Sequence, residues 1–392
     1  MKTARVVGAG LSGLAVAACL ADKGHQVEVI EAADGPGGLI GTQTTPHGPA
    51  ERAANAFVWT PTTEAWFARL GLTAELPLPT ARARYIYRDG RPRRWPLTRG
   101  ETTGLLTRLA WTYATRRLKP RADESVAAFA TRAAGPAAAR WFASPAMQGV
   151  YAVPADQLAA AAIFGPRRRS RGPSASPRGG MGQFIERLYD DLRTRGVTFS
   201  FNAAADFVGG HVPTVICTNA PAAARLVAPH APGLAEAIGR IGMTGIETAT
   251  AFYDPCPDDL QGFGVLFPRE VGVGALGVLF NSSIFRGRGP YRSETWIYAV
   301  DDRTPSAASA ADRVTADREV LVGRRTPPLA VYATRRPAAL PIYDRHVLAI
   351  APHLQELPPW LALSGNYLGQ IGVSTLLARA ETTVDQLVAR TS

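Results

Sequence analysis

Residues 4–31 read ARVVGAGLSGLAVAACLADKGHQVEVIE. The first four predict a short buried strand. GAGLSG follows at 8–13, an apolar helix runs to about Lys23, and Gly24 stops it. Residues 26–31 predict a second, parallel strand, which completes a βαβ unit. In such a unit Gly8 permits the tight turn, Gly10 lets the backbone approach a pyrophosphate, and Gly13 lets the helix lie close on the sheet. The amides of the first turn, at Leu11 and Ser12, and the positive end of the helix then meet the phosphates. Glu31 closes the second strand, where a carboxylate accepts hydrogen bonds from ribose hydroxyls and repels a 2′-phosphate. The pattern admits FAD or NAD and excludes NADP.

The next stretch, AADGPGGLIGT at 32–42, separates these two. Beyond Ala32, the paired Gly37 and Gly38, followed by Leu39, allow a second backbone segment to pass over an extended ribitol and its phosphates. NAD has no ribitol, so FAD is expected. At the other end of the chain, SGNYLGQIGV (364–373) follows the predicted strand LALS. Gly365 and Asn366 are expected near the pyrophosphate and ribitol. Gly372, Val373 and Ser374 open a last helix, whose N-terminus would stabilise negative charge on a reduced flavin ring.

Outside these motifs the chain reads as an ordinary α/β protein. Its 392 residues, 46% of them hydrophobic, suffice for two domains and a smaller third element. Net charge is +11, yet only Lys2, Lys23 and Lys119 are lysines; the other basic residues are arginines scattered among polar neighbours. No specific nucleic-acid partner is expected from them. The dense run Arg167, Arg168, Arg169 and Arg171 reads first as a solvated loop, with a patch for nucleic acid or an anionic membrane as the alternative. Cys19, Cys217 and Cys256 form no CxxC pair and sit among apolar residues, so buried free thiols in a reducing, cytoplasmic setting are expected. The six histidines are scattered, and no metal site is expected. The basic start and apolar stretch to Leu20 mimic a signal peptide, but the glycine spacing accounts for it. No apolar run reaches the length of a membrane span.

Residues 60–195 are mostly helical in pattern, interrupted by a strand pair at 84–88 and 92–96 that turns at Asp89-Gly90. Short strands are expected at 198–201 and 214–218. Strands dominate from 244 to 350, at 246–253, 263–268, 273–280, 295–300 and 346–350. The expected fold class is α/β: a discontinuous Rossmann-type FAD-binding domain (1–75, 178–235 and 345–392), a mixed-sheet substrate domain (236–344) and a helical subdomain (76–177).

VVGAGLSGL together with the paired glycines resembles the N-terminal signature of the flavin-containing amine oxidoreductase superfamily. ERAANAFVW (51–59) is similar to a stretch that family places beside the flavin. PAMQGVYAVPADQL, SPRGGMGQFIERL, GFGVLFPRE, LPIYDRHV and LALSGNYLGQIGVSTLLARA resemble, in order, segments of its protoporphyrinogen oxidase branch. The resemblance implies non-covalent FAD, hydride transfer from a substrate carbon to flavin N5, and oxygen or a quinone as acceptor. It adds Asn55 and, by spacing, Ala205 to the cofactor contacts. The segment around Ala205 is shorter here than in the family, which leaves the adenine contacts open. No lysine follows Lys119, so the lysine that many amine oxidases keep near flavin N5 has no counterpart in 244–350. No catalytic acid or base is singled out.

For a carboxylate-bearing substrate such as a porphyrinogen, the resemblance points to Arg99, with Arg93 and Arg94 as rivals. Phe280, Asn281 and Phe285 are expected on a pocket wall. The alternative is a desaturase or amine oxidase acting on a smaller metabolite; a binding protein without turnover conflicts with the intact motifs. The amphipathic stretch 102–119 ends in Arg116, Arg117 and Lys119, and suits either a cover over the substrate cavity or peripheral contact with a membrane.

Overall fold

The computed structural model describes residues 2–165, 172–209, 212–300, 308–369 and 371–391. The basic run at 167–171 lies outside the described residues.

Five parallel strands form one sheet, in the order Thr198–Ser200, Gln26–Ile30, Thr3–Val7, Thr214–Ile216, Leu361–Leu363. Both ends of the chain and its middle therefore build it. Helix Leu11–Asp22 is buried from Leu11 to Leu20, which is why it is apolar all round. It shares a core with helix Met181–Thr194 and with the closing helix Val373–Thr391. The other side of the sheet is covered by 153–163, 220–241 and 343–350. Parallel strands buried on both faces need apolar residues on both, as Val6, Val7, Val215 and Ile216 provide.

A second sheet has seven strands, in the order Ala330–Pro341, Met243–Tyr253, Arg292–Val300, Gly277–Leu279, Gly264–Leu266, Arg84–Arg88, Arg91–Arg93. The expected hairpin is present, with positive φ at Asp89 (52°) and Gly90 (73°). The sequence division assigns it to the helical subdomain. Strand pairing attaches it instead to the edge of this sheet, through Gly264–Leu266.

One reading needs correction, and two elements escape the sequence pattern. Residues 346–350 are not a strand: Asp344 caps a helix at Arg345–Ala349, accepting from the amide of His346, and Val347 and Ile350 bury the face their spacing predicts. Strand Ala330–Pro341 escapes the sequence pattern because Pro337 sits within it, which an edge strand tolerates. Helix Ala310–Val322 was also not anticipated; Ser309 caps it, and it covers one face of the sheet. The amphipathic helix spans Arg99–Ala114, slightly earlier than expected. It is fixed by a capping box between Thr98 and Glu101 and ended by Arg116 at φ 55°.

Candidate cofactor and active site

The carboxyl ends of the parallel strands lie side by side, since the Cys217 amide donates to Val7 O and that of Ser364 to Ile216 O. This edge is where ligands bind in open α/β sheets. The three glycines of the first turn differ in what demands them. Gly8 adopts φ +103°, and a Cβ there would lie 3.0 Å from Cys217 O. A Cβ on Gly13 would lie 1.8 Å from Gly8 O, so helix and strand could not approach. Gly10 has φ −68°, which any residue adopts, and a Cβ on it would meet nothing within 4 Å. Neither backbone conformation nor packing requires glycine at 10. The space above it is open, and the helix that starts there carries no side-chain cap.

The second glycine segment closes over this space. Gly37 N donates to Ala9 O, and Gly38 lies so close that its Cβ would be 3.2 Å from Gly10 Cα. Gly37 has no freedom to be replaced, with φ +114° and Ile40 O 2.5 Å from a built Cβ. Leu39 packs against the seven-stranded sheet together with Ala53. The Glu31 carboxylate ties the two loops, accepting from Ala9 N (2.6 Å) and Ala33 N (2.8 Å). Each oxygen keeps a lone pair for a ribose hydroxyl. Ala32 beside it is exposed. The shortened segment folds back here: Asn202 and Ala203 donate to Ala33 O and Glu31 O, which brings Ala205, half-buried, close to the end of the second strand.

Gly365 is extended, and a Cβ on it would strike the Tyr367 ring at 2.6 Å. Asn366 starts a tight turn, its carbonyl accepting from the Tyr343 hydroxyl. Gly372 is exposed, and Val373 opens the closing helix. The Ser374 hydroxyl is buried, donates to Val58 O (2.8 Å) and accepts from Val58 N (2.9 Å), so it tethers the 51–59 stretch to the start of the closing helix. Asn55, in that stretch, holds its buried Oδ1 without a partner among the described residues. An orphaned acceptor on a stretch whose Ala53 packs with Leu39 of the second glycine segment suits a ligand that donates.

Sequence reasoning missed Arg288. It is buried against Glu51 (2.6 Å), whose carboxylate also accepts from Thr42 Oγ1 and from Met181 N at the start of a helix. Arg288 further donates to Ser176 Oγ (2.8 Å). The pair fastens the stretch carrying Asn55 to a loop of the second sheet. ERAANAFVW marks Glu51, but nothing local marks Arg288.

The cradle thus fits a dinucleotide, and the chain as a whole has relatives to match. Residues 11–323 match the model of the family described as flavin containing amine oxidoreductase. The chain belongs to that family. It is a flavin-dependent oxidoreductase of the protoporphyrinogen oxidase-like kind. A coproporphyrinogen III oxidase of Propionibacterium freudenreichii is 25% identical over 98% of this chain and 90% of its own length. A mitochondrial protoporphyrinogen oxidase of Nicotiana tabacum is 29% identical over 33% of this chain and 28% of its own. Among solved structures, a putative protoporphyrinogen oxidase from Exiguobacterium superposes with TM-score 0.81, at 18% identity and 98% coverage of both chains. A UDP-galactopyranose mutase superposes at 0.77 with 15% identity, covering 99% of this chain and 95% of its own, so the fold alone does not specify the reaction.

In this flavoprotein the sequence-chosen substrate residues do not converge. Arg99 is exposed at the start of its helix, and Arg94 is exposed near Tyr85. Arg93 is spent on Asp89 and on Arg88 O. Phe280, Asn281 and Phe285 are core residues rather than a pocket wall. The Asn281 amide donates to Ser293 and Thr295, and Arg292 and Arg288 lie over the two rings. Burial raises the Cys19 thiol to about 12 and that of Cys217 higher still, so neither is a ready nucleophile. Cys256 is half-exposed, contrary to expectation, and all three thiols are free. No metal-holding group exists among the described residues.

Proposed function

We propose that the chain binds FAD without a covalent bond and oxidises a carboxylate-bearing porphyrinogen, with oxygen or a quinone as final acceptor. The observation that carries the cofactor reading is Gly10, a glycine with no internal reason to be one, at a helix N-terminus. The full-length similarity to a coproporphyrinogen oxidase supports the substrate class. When bound, the flavin supplies the hydride acceptor. The chain's own part is placement. Gly8–Gly13 and Gly37–Gly38 would receive the pyrophosphate and Glu31 the ribose, and the unpartnered Asn55 Oδ1 would accept from the bound group. Anaerobic addition of a porphyrinogen to the purified protein should bleach its yellow colour, and oxygen should restore it. Unchanged colour would reject the substrate class.

A membrane-facing role for 102–119 draws support from the fold. Only Thr112 of helix Arg99–Ala114 is buried, while Leu106, Trp111, Tyr113 and Leu118 are exposed beside Arg108, Arg116, Arg117 and Lys119. Apolar rings flanked by cations suit an anionic bilayer surface. No helix among the described residues is long and apolar enough to cross a membrane. Co-sedimentation with anionic but not neutral vesicles, lost in Trp111→Glu, is the expected result; equal recovery with both would reject the reading.

A further inference from the structure

The register of the large sheet sorts its side chains between two faces. Residues paired across strands point the same way. Ile246 is opposite Arg336 on one side and Ala299 on the other, and Thr248 is opposite Thr334 and Ile297. This is the face turned to the cofactor cradle, because Thr248 Oγ1 donates to Arg52 O (2.9 Å) and Ile246 and Ile297 pack with Leu39 and Ala53. Across Met243–Tyr253 and its two neighbouring strands, Arg336 is the charged side chain on that face. Arg335, its neighbour in sequence, pairs opposite Glu247 on the other.

Arg336 is half-buried and has no carboxylate partner among the described residues. Its Nε is buried without a hydrogen-bond partner, and one Nη reaches only the Gly38 carbonyl, at 3.5 Å. A guanidinium whose buried Nε has no acceptor and whose one protein bond is long is poorly satisfied. Through Gly38, whose built Cβ would lie 3.2 Å from Gly10 Cα, it stands beside the glycine segment that meets the helix N-terminus, and that N-terminus would itself answer the charge of a pyrophosphate. The geometry points to a second anion, arriving on the sheet side of the cradle.

We propose that Arg336 is the residue that selects a carboxylate on the substrate, taking the place that sequence assigned to Arg99. The proposal rests on the porphyrinogen reading. A planar fork with a free Nε edge suits bidentate carboxylate binding, which an ammonium cannot reproduce.

The test uses the flavin-loaded protein, Arg336→Met and Arg336→Lys, with coproporphyrin and its tetramethyl ester as fluorescent probes. Wild type should bind the acid in preference to the ester. Arg336→Met should weaken acid binding by about 30-fold or more, with ester binding and FAD content unchanged, and Arg336→Lys should recover part of the loss. Undiminished acid binding by Arg336→Met would overturn the assignment and leave the porphyrinogen reading standing. FAD loss from Arg336→Met would overturn it by showing that the guanidinium serves the cofactor. Wild type that binds neither probe would overturn the porphyrinogen reading and the assignment together.

Discussion

The two faces of the seven-stranded sheet handle charge in opposite ways. On the face under helix Ala310–Val322, buried arginines are matched. Arg292 and Arg318 share Glu294 (2.9 and 3.2 Å), Arg318 also reaches Asp259 (3.5 Å), and Arg313 pairs with Glu247. On the face toward the cradle Arg336 stands without a carboxylate among the described residues. Carboxylates neutralise the guanidiniums of the first face, although Arg318 Nη1 there still lacks an acceptor, whereas a charge without a carboxylate beside an open cradle suits an arriving anion.

This contrast breaks most readily at Glu294. Its removal leaves two buried guanidiniums short of a partner, so Glu294→Ala should cost about 3–5 kcal/mol in urea unfolding. FAD affinity of the protein that remains folded should not change. A loss of FAD binding with unaltered stability would place the network in the site and undo the distinction.

Glu31 is the opposite case, a carboxylate at the ligand edge. Glu31→Ala should weaken FAD binding by about 1.5–3 kcal/mol, read by titrating apoprotein with FAD. The loss combines ribose contacts with the two amides, of Ala9 and Ala33, that the carboxylate aligns. Unchanged affinity would mean that the carboxylate serves the apoprotein alone.

The smallest effects belong to the exposed helix, which Arg88 and Glu101 hold near the sheet edge opposite Ala330–Pro341. Thr98→Ala removes its capping box and should cost about 1 kcal/mol, with FAD content unchanged. Glu101, in the same box, is hydrogen-bonded by Arg88 and by the Thr98 amide, which lowers its carboxyl from 4.5 to about 2. A depressed folded pKa contributes stability that is fully present above 4.5 and lost as pH falls toward about 2. Wild type and Glu101→Gln should therefore differ at neutral pH and converge in that acid window. A constant difference down to the lower limit would show that the pair does not titrate with folding.

The cradle was legible because its requirements are local. The turn, the helix start and the carboxylate at 31 lie within one βαβ unit, and each residue type is dictated by what its backbone must do. The substrate side was not. Which face Arg336 occupies depends on register across strands that are distant in sequence, and Pro337 conceals the strand itself. Arg288 is similar, since it finds Glu51 only through the tertiary fold. Arg99 looked apt in sequence, but the capping box starts a helix there and turns it to solvent. Residues 346–350 misled because a short apolar run fits helix or strand equally, and the Asp344 cap decides between them.

The central claim is that Gly10 is glycine for the sake of a bound dinucleotide. The direct measurement is acid precipitation of purified wild type and Gly10→Val, followed by analysis of released flavin, with circular dichroism of each protein beforehand. Because a Cβ at 10 meets no atom of the described residues within 4 Å, the variant should fold like wild type. Wild type should release all of its flavin, as FAD, and the variant should carry none. A variant that retains FAD, or a wild type that is colourless or keeps its flavin in the pellet, would contradict the account.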